Sequence, residues 1–369
     1  MNALFEAYPG LCGRIPYIAL GDFPTPVQRL ERLEEALAGN DSPPTLYVKR
    51  DDLSGKPYGG NKVRKLEFLL GRALEDGRKT LMTFGGAGSN HALATAIYAK
   101  QVGLQSISML VPQPNAHSVR RNLLMSLRVG AELHQRGGMA SLVPASLLQL
   151  LRHALKEGKR PQVIPPGGTS PTGMIGFVSA GLELKRQIEA GELPAPDCVY
   201  AASGTMGTVV GLLLGLKAAG LATRVVAVRV TDPKFTSMRK ARRLFDATAN
   251  LLHAADPDFP VIPFPEADFE LRHDYYGTQY ALYTQEGIEA VNRMRETDGV
   301  KLEGTYTGKT LAALLGDLEA GRLRGQTVLF WDTFNSQDFR NEIEGMDYHR
   351  LPRAFHRYFE EEVQSLDRP

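Results

Sequence analysis

Short apolar runs rich in β-branched residues alternate along the chain with longer segments whose apolar positions recur about every three to four residues. The runs have the length of buried strands, and the longer segments have the periodicity of amphipathic helices. The strand-like runs are TLMTF (80–84), SISMLV (106–111), DCVYAA (197–202), RVVAVRV (224–230) and QTVLFWD (326–332). This alternation predicts an α/β fold with βαβ units, largely parallel sheets and helices on the sheet faces.

Glycine-rich loops follow two of these runs, and each loop leads into a predicted helix. The loops are GGAGSNHA (85–92) and ASGTMGT (202–208). Ligands of parallel sheets bind at the carboxyl ends of the strands, where backbone N–H groups of helix N-termini favour an anion. Both loops are therefore candidate binding sites.

A third candidate is YGGNKVRKLEFLL (58–70), in which two glycines and an asparagine precede a predicted helix that starts near Lys62. The apolar positions of this helix define a buried face and place Arg64 on a solvated face. Lys65 is a candidate phosphate contact. Lys62 stands at the glycine-lined approach, which is unusual for a solvated lysine.

The loop at 85–92 allows two interpretations. Ser89, Asn90 and His91 surround the predicted helix N-terminus, and Ser and Asn are preferred N-caps in any helix. The same groups could instead bind a carboxylate or a phenolate-type oxygen. The pattern alone leaves both open.

The loop at 202–208 offers hydroxyl groups and unshielded backbone amides to a small phosphate. Its spacing fits neither the GxGxxG dinucleotide pattern nor a Walker loop. A plain tight turn between strand and helix remains the alternative. The candidate phosphate loop comprises Ser203, Gly204, Thr205, Met206, Gly207 and Thr208.

Other catalytic patterns are absent from the sequence. The GKT of EGTYTGKT (303–310) resembles part of a P-loop, but the position that requires glycine holds Glu303. The eight histidines show no metal-ligand spacing, and no GxSxG nucleophile motif occurs. A reactive lysine, a phosphate loop and a Ser-Asn-His cap together match the needs of pyridoxal phosphate.

Composition narrows the class further. The chain has 369 residues, 43% hydrophobic and 23% charged, which predicts a soluble globular protein of two domains or one large α/β unit. A net charge of +2 argues against nucleic acid or anionic membrane as a partner. Cys12 and Cys198 are far apart, as expected in a reducing compartment. With no signal-peptide pattern or span-length apolar run, we expect a cytoplasmic location.

The motifs resemble the aminocyclopropane-carboxylate deaminase and D-cysteine desulfhydrase family, within the tryptophan-synthase-β-like group of pyridoxal-phosphate enzymes. The resemblance covers most of the chain, and its most specific element is GGNKVRKLE. Further matches are FPTPVQRLERL, GSNHALATAIYAKQVGL, GGTSPTGMIGFVSAGLEL, SGTMGT and TYTGKTLAALL.

The resemblance implies a role for each candidate residue. Lys62 matches the Schiff-base lysine, which also removes the α-proton of the substrate. Asn90 matches the partner of the cofactor's ring oxygen, and the phosphate loop is assisted by Lys65. Ser89, Asn90, His91, Tyr280 and Tyr306 match the substrate side of the site, where Ser89 and both tyrosines are expected to assist catalysis.

Two positions indicate which branch of the family the chain resembles. Deaminases carry Glu where this chain has Thr307, and Gln where it has His91. Both residues resemble the desulfhydrase branch, in which a neutral hydroxyl faces the pyridine nitrogen. Thr333 is a second candidate partner of that nitrogen. With a neutral hydroxyl at its nitrogen, the ring withdraws electrons less strongly than with a carboxylate there, and this weaker electron sink favours β-elimination over ring opening.

The chain also departs from the family pattern. LEGTYTGK and WDTFNS stand where LDPVYTGK and HTGG are usual, Met206 replaces a smaller residue, and the 235–270 region is longer. These changes lie on the substrate side or the rim, so we expect the cofactor to be retained and the substrate to differ.

The resemblance implies a fold type II enzyme with a large domain of residues 1–60 plus 176–369 and a small domain of residues 61–175. The cofactor is expected in the cleft between them, and the enzyme is expected to be a homodimer. The implied reaction is elimination or deamination of a small, β-substituted or D-amino acid. Three alternatives stay open: ring opening of aminocyclopropane-carboxylate, a cofactor binder without turnover, and a phosphate-binding protein in which Lys62 is only a phosphate contact.

Overall fold

Two mostly parallel sheets with helices on both faces form the protein. The structure, a computed structural model, describes residues 2–37 and 43–368. Within these residues, one sheet has six strands in the order β1-β2-β10-β7-β8-β9, and the other has four in the order β5-β4-β3-β6. The strands are β1 Val27–Arg29, β2 Thr45–Arg50, β3 Thr80–Gly86, β4 Gln105–Val111, β5 Glu132–Gln135, β6 Gln162–Val163, β7 Cys198–Ser203, β8 Arg224–Arg229, β9 Phe269–Arg272 and β10 Thr327–Asp332.

All strand pairs are parallel except β1 with β2. The α-helices that cover the sheets are α1 Ala3–Ala7, α2 Glu31–Ala36, α3 Lys62–Glu75, α4 Asn90–Gln101, α5 His117–Arg128, α6 Met139–Glu157, α7 Pro171–Glu189, α8 Gly207–Ala218, α9 Met238–Ala255, α10 Gln285–Asp298, α11 Thr307–Glu319, α12 Arg340–Ile343 and α13 Arg357–Glu360. The predicted fold class is confirmed. Each strand-like run of the sequence forms a strand, with bounds that shift by one or two residues.

The division into sheets follows the chain. Residues 80–163 supply the four-stranded sheet, and residues 27–50 and 198–332 supply the six-stranded one. The domain boundaries at 60/61 and 175/176 stay predictions. The punctuated segment 165–173 forms a short turn, Pro166–Gly168, and the start of α7.

The apolar run VVGLLLGL (209–216) lies in α8, which is buried on all sides between the six-stranded sheet and its neighbouring helices. Glycines let α7 and α8 pack closely, since a Cβ at Gly215 would lie 2.3 Å from the carbonyl oxygen of Val178. A helix that is apolar all round belongs in a protein core or a membrane. Among the described residues, no helix is both long enough and apolar enough to cross a membrane.

Arg64 is buried, so its predicted position on a solvated face was wrong. Its side chain forms ion pairs with Asp51 at 2.8 Å and Glu183 at 2.9 Å and is 2% exposed. Trp331 Nε1 donates to Asp51 Oδ2 at 2.8 Å, and the guanidinium carbon lies 4.2 Å from the ring centroid of Phe23. Apolar periodicity indicates a single buried face, whereas α3 is packed between α4 and α7 and is buried on more than one face.

This buried network connects α3 to the six-stranded sheet. Asp51 directly follows β2, Glu183 lies in α7 and Trp331 lies in β10. Lys49 Nζ adds a further buried amine that donates to the backbone oxygen of Thr25 at 2.6 Å. The helix that begins with Lys62 is thus held by ion pairs as well as by apolar packing.

Candidate active site

A cavity of about 330 Å³ opens at the carboxyl ends of strands from both sheets. Thirteen of the fifteen predicted site residues line it. These are Lys62, Lys65, Ser89, Asn90, His91, Gly204, Thr205, Met206, Gly207, Thr208, Tyr280, Tyr306 and Thr333. The other two, Ser203 and Thr307, do not line the cavity.

Lys62 is the first residue of α3 and reaches the cavity from a tight backbone approach. Gly60 has φ +88°, and a Cβ there would lie 2.6 Å from the carbonyl oxygen of Phe334. Only glycine adopts that backbone and fits that contact without strain. Burial lowers the pKa of the Lys62 amine to about 8. The neutral, nucleophilic form of this amine is therefore far more populated near physiological pH than that of an ordinary lysine.

The phosphate loop forms a turn between β7 and α8. Met206 has φ 73° and caps α8 without a side-chain hydrogen bond, so the first N–H groups of the helix have no side-chain cap. The Lys65 amine lies beside them, 3.0 Å from the place of a Cβ on Gly207. Asn61 Nδ2 donates to Thr208 Oγ1 at 3.0 Å and fixes that hydroxyl. Helix N-terminus and buried amine together suit an anion.

Lys65 Nζ donates a hydrogen bond to the carbonyl oxygen of Gly167 at 3.1 Å. Burial and the neighbouring Lys62 place its pKa well below the usual range of lysine. An anion in the phosphate loop would favour the charged form of this amine again.

Ser89 is the N-cap of α4 and accepts a hydrogen bond from the Ala92 amide at 3.2 Å, so the N-cap interpretation is confirmed. Beside it, Asn90 Oδ1 accepts a hydrogen bond from Asn122 Nδ2 at 2.9 Å. Its amide oxygen is thereby occupied. The Asn90 nitrogen is the polar atom that remains for a ligand in the cavity.

His91 lines the cavity, and neither ring nitrogen has a hydrogen-bond partner in the structure. Its side chain is buried, with 3% exposure. Burial, followed by the neighbouring Lys62 and Lys65, lowers the pKa of the imidazole well below its usual range. Buried polar groups are normally paired, so this neutral ring is a candidate ligand contact.

Tyr280 and Tyr306 share a hydrogen bond between their hydroxyl groups. Burial, followed by Tyr280, raises the pKa of Tyr306 well above that of an ordinary tyrosine. Burial also raises the pKa of Tyr280. Both hydroxyls therefore stay protonated at neutral pH and form a linked donor–acceptor pair in the cavity wall.

Thr307 is placed differently from the expectation that it faces a pyridine nitrogen. Its hydroxyl accepts the Glu303 amide at 2.9 Å. The carboxylate of Glu303 accepts the amides of Thr305, Tyr306 and Thr307 at 2.8, 2.6 and 3.1 Å and so caps α11. Thr307 is the first residue of that helix, which directs its side chain to the helix cap rather than to the cavity.

Glu303 lines the cavity, although the sequence analysis used it only to reject a P-loop. Burial raises the pKa of its carboxyl group. Ser203 is the last residue of β7, and its buried hydroxyl has no hydrogen-bond partner among the described residues. Thr333 follows β10 and lines the cavity as expected.

Asn335 is a site residue that the sequence analysis missed. It lines the cavity, and its Oδ1 accepts a hydrogen bond from the Gly59 amide at 2.7 Å. Its buried Nδ2 has no hydrogen-bond partner within residues 2–37 and 43–368. The signal was present in WDTFNS, where the usual glycines of the motif are replaced. An unpaired buried amide nitrogen is a donor for a ligand.

Five apolar side chains line the cavity, and no motif indicated them. We call this set of side chains the apolar wall; it consists of Phe84, Val111, Met139, Leu142 and Phe235. The members come from β3, β4, α6 and the turn after β8, so no short stretch of sequence shows them together.

The residues of the cavity fit pyridoxal phosphate. The cavity contains the Lys62 amine with its lowered pKa, the N-terminus of α8 and the amide nitrogen of Asn90. The buried His91 ring and the Asn335 amide nitrogen lack hydrogen-bond partners among the described residues, and a ligand would supply them. No cluster of histidine, cysteine, aspartate and glutamate that could hold a metal ion occurs within residues 2–37 and 43–368.

Comparisons with known proteins indicate the same cofactor. A family model described as "Pyridoxal-phosphate dependent enzyme" matches residues 18–333. The putative 1-aminocyclopropane-1-carboxylate deaminase of Pyrococcus abyssi is 34% identical over 88% of this chain and 92% of its own length. The D-cysteine desulfhydrase of Yersinia enterocolitica is 33% identical over 87% of this chain and 94% of its own length.

A solved structure of an ACC deaminase homologue has a TM-score of 0.75 and 29% sequence identity to this chain. It covers 93% of this chain and 98% of the solved one. The similarity therefore extends over both sheets.

Proposed function

The chain belongs to the pyridoxal-phosphate dependent enzyme family, and we propose that it is a lyase that eliminates the β-substituent of a small amino acid. The observation that carries this proposal is the buried Lys62 amine, with a pKa of about 8, in the same cavity as the tyrosine pair. Relatives named D-cysteine desulfhydrase and deaminase support a lyase or deaminase.

When bound, pyridoxal phosphate withdraws electrons from the α-carbon of the amino acid. The overall reaction breaks the Cα–H bond and the bond from Cβ to its substituent. For a cysteine derivative, one water is consumed, and a thiol, a 2-oxo acid and ammonia are released. The protein must therefore remove one proton at Cα and supply one to the departing sulfur.

We assign the binding roles to the cavity residues as follows. The phosphate loop and Lys65 would hold the phosphate, because they combine helix N–H groups with a buried amine. Asn90 would donate to the ring hydroxyl through its remaining amide nitrogen. Thr333 and Asn335 offer neutral donors where the loop after β10 meets Gly59.

The substrate side carries the proton chemistry. Lys62 acts as the base at Cα, since its lowered pKa leaves the amine available near neutral pH. Ser89 and His91 bind the carboxylate of the amino acid. The Tyr280–Tyr306 pair delivers a proton to the leaving group, because both hydroxyls are buried and stay protonated.

Ring opening of aminocyclopropane-carboxylate is the second candidate. The carboxyl group of Glu303 in the cavity favours it, because an acid near the ring system strengthens the electron sink. Against this, that carboxylate already accepts the amides of Thr305, Tyr306 and Thr307.

We propose further that the enzyme is a cytoplasmic homodimer. Cys12 and Cys198 are free thiols, which supports a reducing compartment. Exposed apolar residues along α6, namely Val143, Leu147, Leu148, Leu151 and Leu155, support self-association. Light scattering at several protein concentrations tests the dimer.

The covalent role of Lys62 is tested by borohydride reduction of the purified protein with its cofactor, followed by peptide mass spectrometry. We expect the cofactor on the peptide that contains Lys62 and none in Lys62→Ala. Lys309 is a matched control, because burial lowers its pKa to about 8 as well, yet it does not line the cavity. Lys309→Ala should keep the modified Lys62 peptide.

Turnover is tested with a panel of D-cysteine, L-cysteine, β-chloroalanine, D-serine and aminocyclopropane-carboxylate, scored for 2-oxo acid and ammonia. Release from the β-substituted amino acids supports elimination. Release from the cyclopropane alone supports ring opening. A protein with cofactor on Lys62 and no turnover on a broad panel is a binder without catalysis.

A further inference from the structure

We infer that the preferred amino acid carries an apolar group beyond its β-carbon, as an S-alkyl or S-aryl cysteine does, and that this group lies against the apolar wall. The inference rests on the proposed function, because it names the substrate class of the same site. It concerns the part of the cavity that the cofactor-binding residues leave unused.

The apolar wall continues a hydrophobic layer of the four-stranded sheet. Met82, Ile107, Met109 and Leu142 form a buried cluster on one sheet face, and Phe84 and Val111 pack against it. Leu142 belongs to α6, so this helix packs against the layer. Phe84 and Val111 lie at the carboxyl ends of β3 and β4, where the layer reaches the cavity.

The apolar wall also includes two exposed side chains from different segments of the chain. Met139, the first residue of α6, is 68% exposed, and Phe235, in the turn after β8, is 39% exposed. Both line the cavity. Large apolar groups that stay in contact with water beside a cavity indicate a surface that a ligand covers.

The polar groups of the cavity lie on other residues. Lysine, tyrosine, asparagine and histidine side chains serve the cofactor and the amino and carboxylate groups of the substrate, whereas no member of the apolar wall has a polar side-chain group that could bind a charge. A thiol or chloride leaving group would leave this wall in water. A longer apolar substituent removes its area from water together with that of Met139 and Phe235.

Burial of the substituent against the apolar wall should raise kcat/KM. Each methylene that moves from water to the wall should improve kcat/KM about fourfold. The gain should continue until the substituent extends past Met139 and Phe235 into solvent. Small amino acids should be poor substrates by comparison.

The experiment uses the cofactor-loaded enzyme and both enantiomers of S-methyl-, S-ethyl-, S-propyl- and S-benzylcysteine, with free cysteine as reference. Elimination is followed by release of thiol and 2-oxo acid. Binding is measured separately by calorimetry with alanine, norvaline and norleucine, which have no leaving group. We expect both kcat/KM and affinity to rise along each series.

Met139→Ser and Phe235→Ser should flatten both trends while leaving turnover of free cysteine nearly unchanged. Leu148→Ser is the matched control, since Leu148 lies on the same helix and is 62% exposed but does not line the cavity. It should keep the full trends. Light scattering on all three variants shows whether a change in oligomeric state accompanies a change in preference.

The outcomes separate the inference from the proposed function. Elimination of free cysteine without any gain along the thioether series contradicts the inference alone. Equal flattening by Leu148→Ser contradicts it as well, because the α6 face would then act through packing or association. A binding trend with no elimination of any member supports the apolar site and contradicts the proposed reaction.

Discussion

Asn122 Nδ2 donates to Asn90 Oδ1 at 2.9 Å and to the carbonyl oxygen of Gly88 at 2.9 Å. Asn122 is buried in α5, and Gly88 and Asn90 flank the start of α4. One amide group thus fixes both the loop after β3 and the orientation of the Asn90 side chain. Asn122, which does not line the cavity, therefore sets which Asn90 atom faces a ligand.

Asn122→Ala should weaken cofactor binding. Loss of its hydrogen bonds lets the Asn90 amide rotate, so the cofactor's ring hydroxyl loses a fixed donor, at a cost of about tenfold in affinity. Absorbance titration of the cofactor-free protein measures the dissociation constant. Asn115→Ala is the control, because Asn115 bonds to the backbone of Tyr358 and Glu361, away from the cavity. Equal loss in both variants would mean that Asn122 acts only on stability.

Tyr280→Phe should lower kcat by about 100-fold, since it removes one member of the hydroxyl pair that protonates the leaving group. Cofactor affinity should stay the same, because the phosphate loop and Asn90 are untouched. Steady-state kinetics on a β-substituted amino acid give the result. Tyr276→Phe serves as the control: that ring packs against Arg229 and does not line the cavity. An unchanged kcat in Tyr280→Phe would rule out the assigned proton donor.

Arg64→Met should cost about 3–5 kcal/mol of unfolding free energy, because Asp51 and Glu183 would remain buried without their partner. Urea unfolding measures the change. Arg72→Met lies in the same helix and breaks a half-exposed pair with Glu75, so it should cost about 0–1 kcal/mol. A loss in Arg64→Met as small as that in Arg72→Met would contradict the described network.

Glu67 should make the protein less stable as pH rises from about 5 to 8. Burial raises the pKa of this carboxyl to about 7 although the amides of Leu20 and Gly21 bond to it. Between the pKa of the unfolded carboxyl and about 7, the folded state holds a proton that the unfolded state has released, so unfolding becomes easier as pH rises through this range and the effect levels off above it. The full effect is about 3 kcal/mol.

Glu67→Gln keeps the acceptor oxygen and removes the ionisation, so its urea midpoint should lose this part of the pH dependence. Glu75→Gln, an exposed position of the same helix, should retain the wild-type slope. If Glu67→Gln keeps that slope too, another group is responsible for it.

The sequence predicted what depends on local pattern. The helix that starts at Lys62, the N-cap at Ser89 and the turn at Gly204–Thr208 are each encoded within about ten residues, and the structure forms all three. Helix propensity and helix capping depend on residues within that range, so the sequence alone is enough to predict these three features.

Most of the errors and omissions involve contacts between distant segments. Arg64 was assigned to solvent because periodicity does not show that α7 covers the second face of its helix. Thr307 was expected to face the cofactor, and this stays a prediction; its hydroxyl accepts the amide of Glu303, only four residues away, a local contact that its motif did not indicate. Asn122, Asn335 and the apolar wall reach the site only through the tertiary fold, so no local pattern marks them.

The ion pairs of Arg64 also determine which cavity residues keep their relative positions if one sheet moves with respect to the other. They fasten the helix of Lys62 to β2, α7 and β10, the same body of structure that carries the phosphate loop. Asn90, Phe84 and Met139 belong to the four-stranded sheet and its helices. A rigid displacement of that sheet would widen or narrow the mouth of the cavity, while the reach from Lys62 to a group held by the phosphate loop would stay constant.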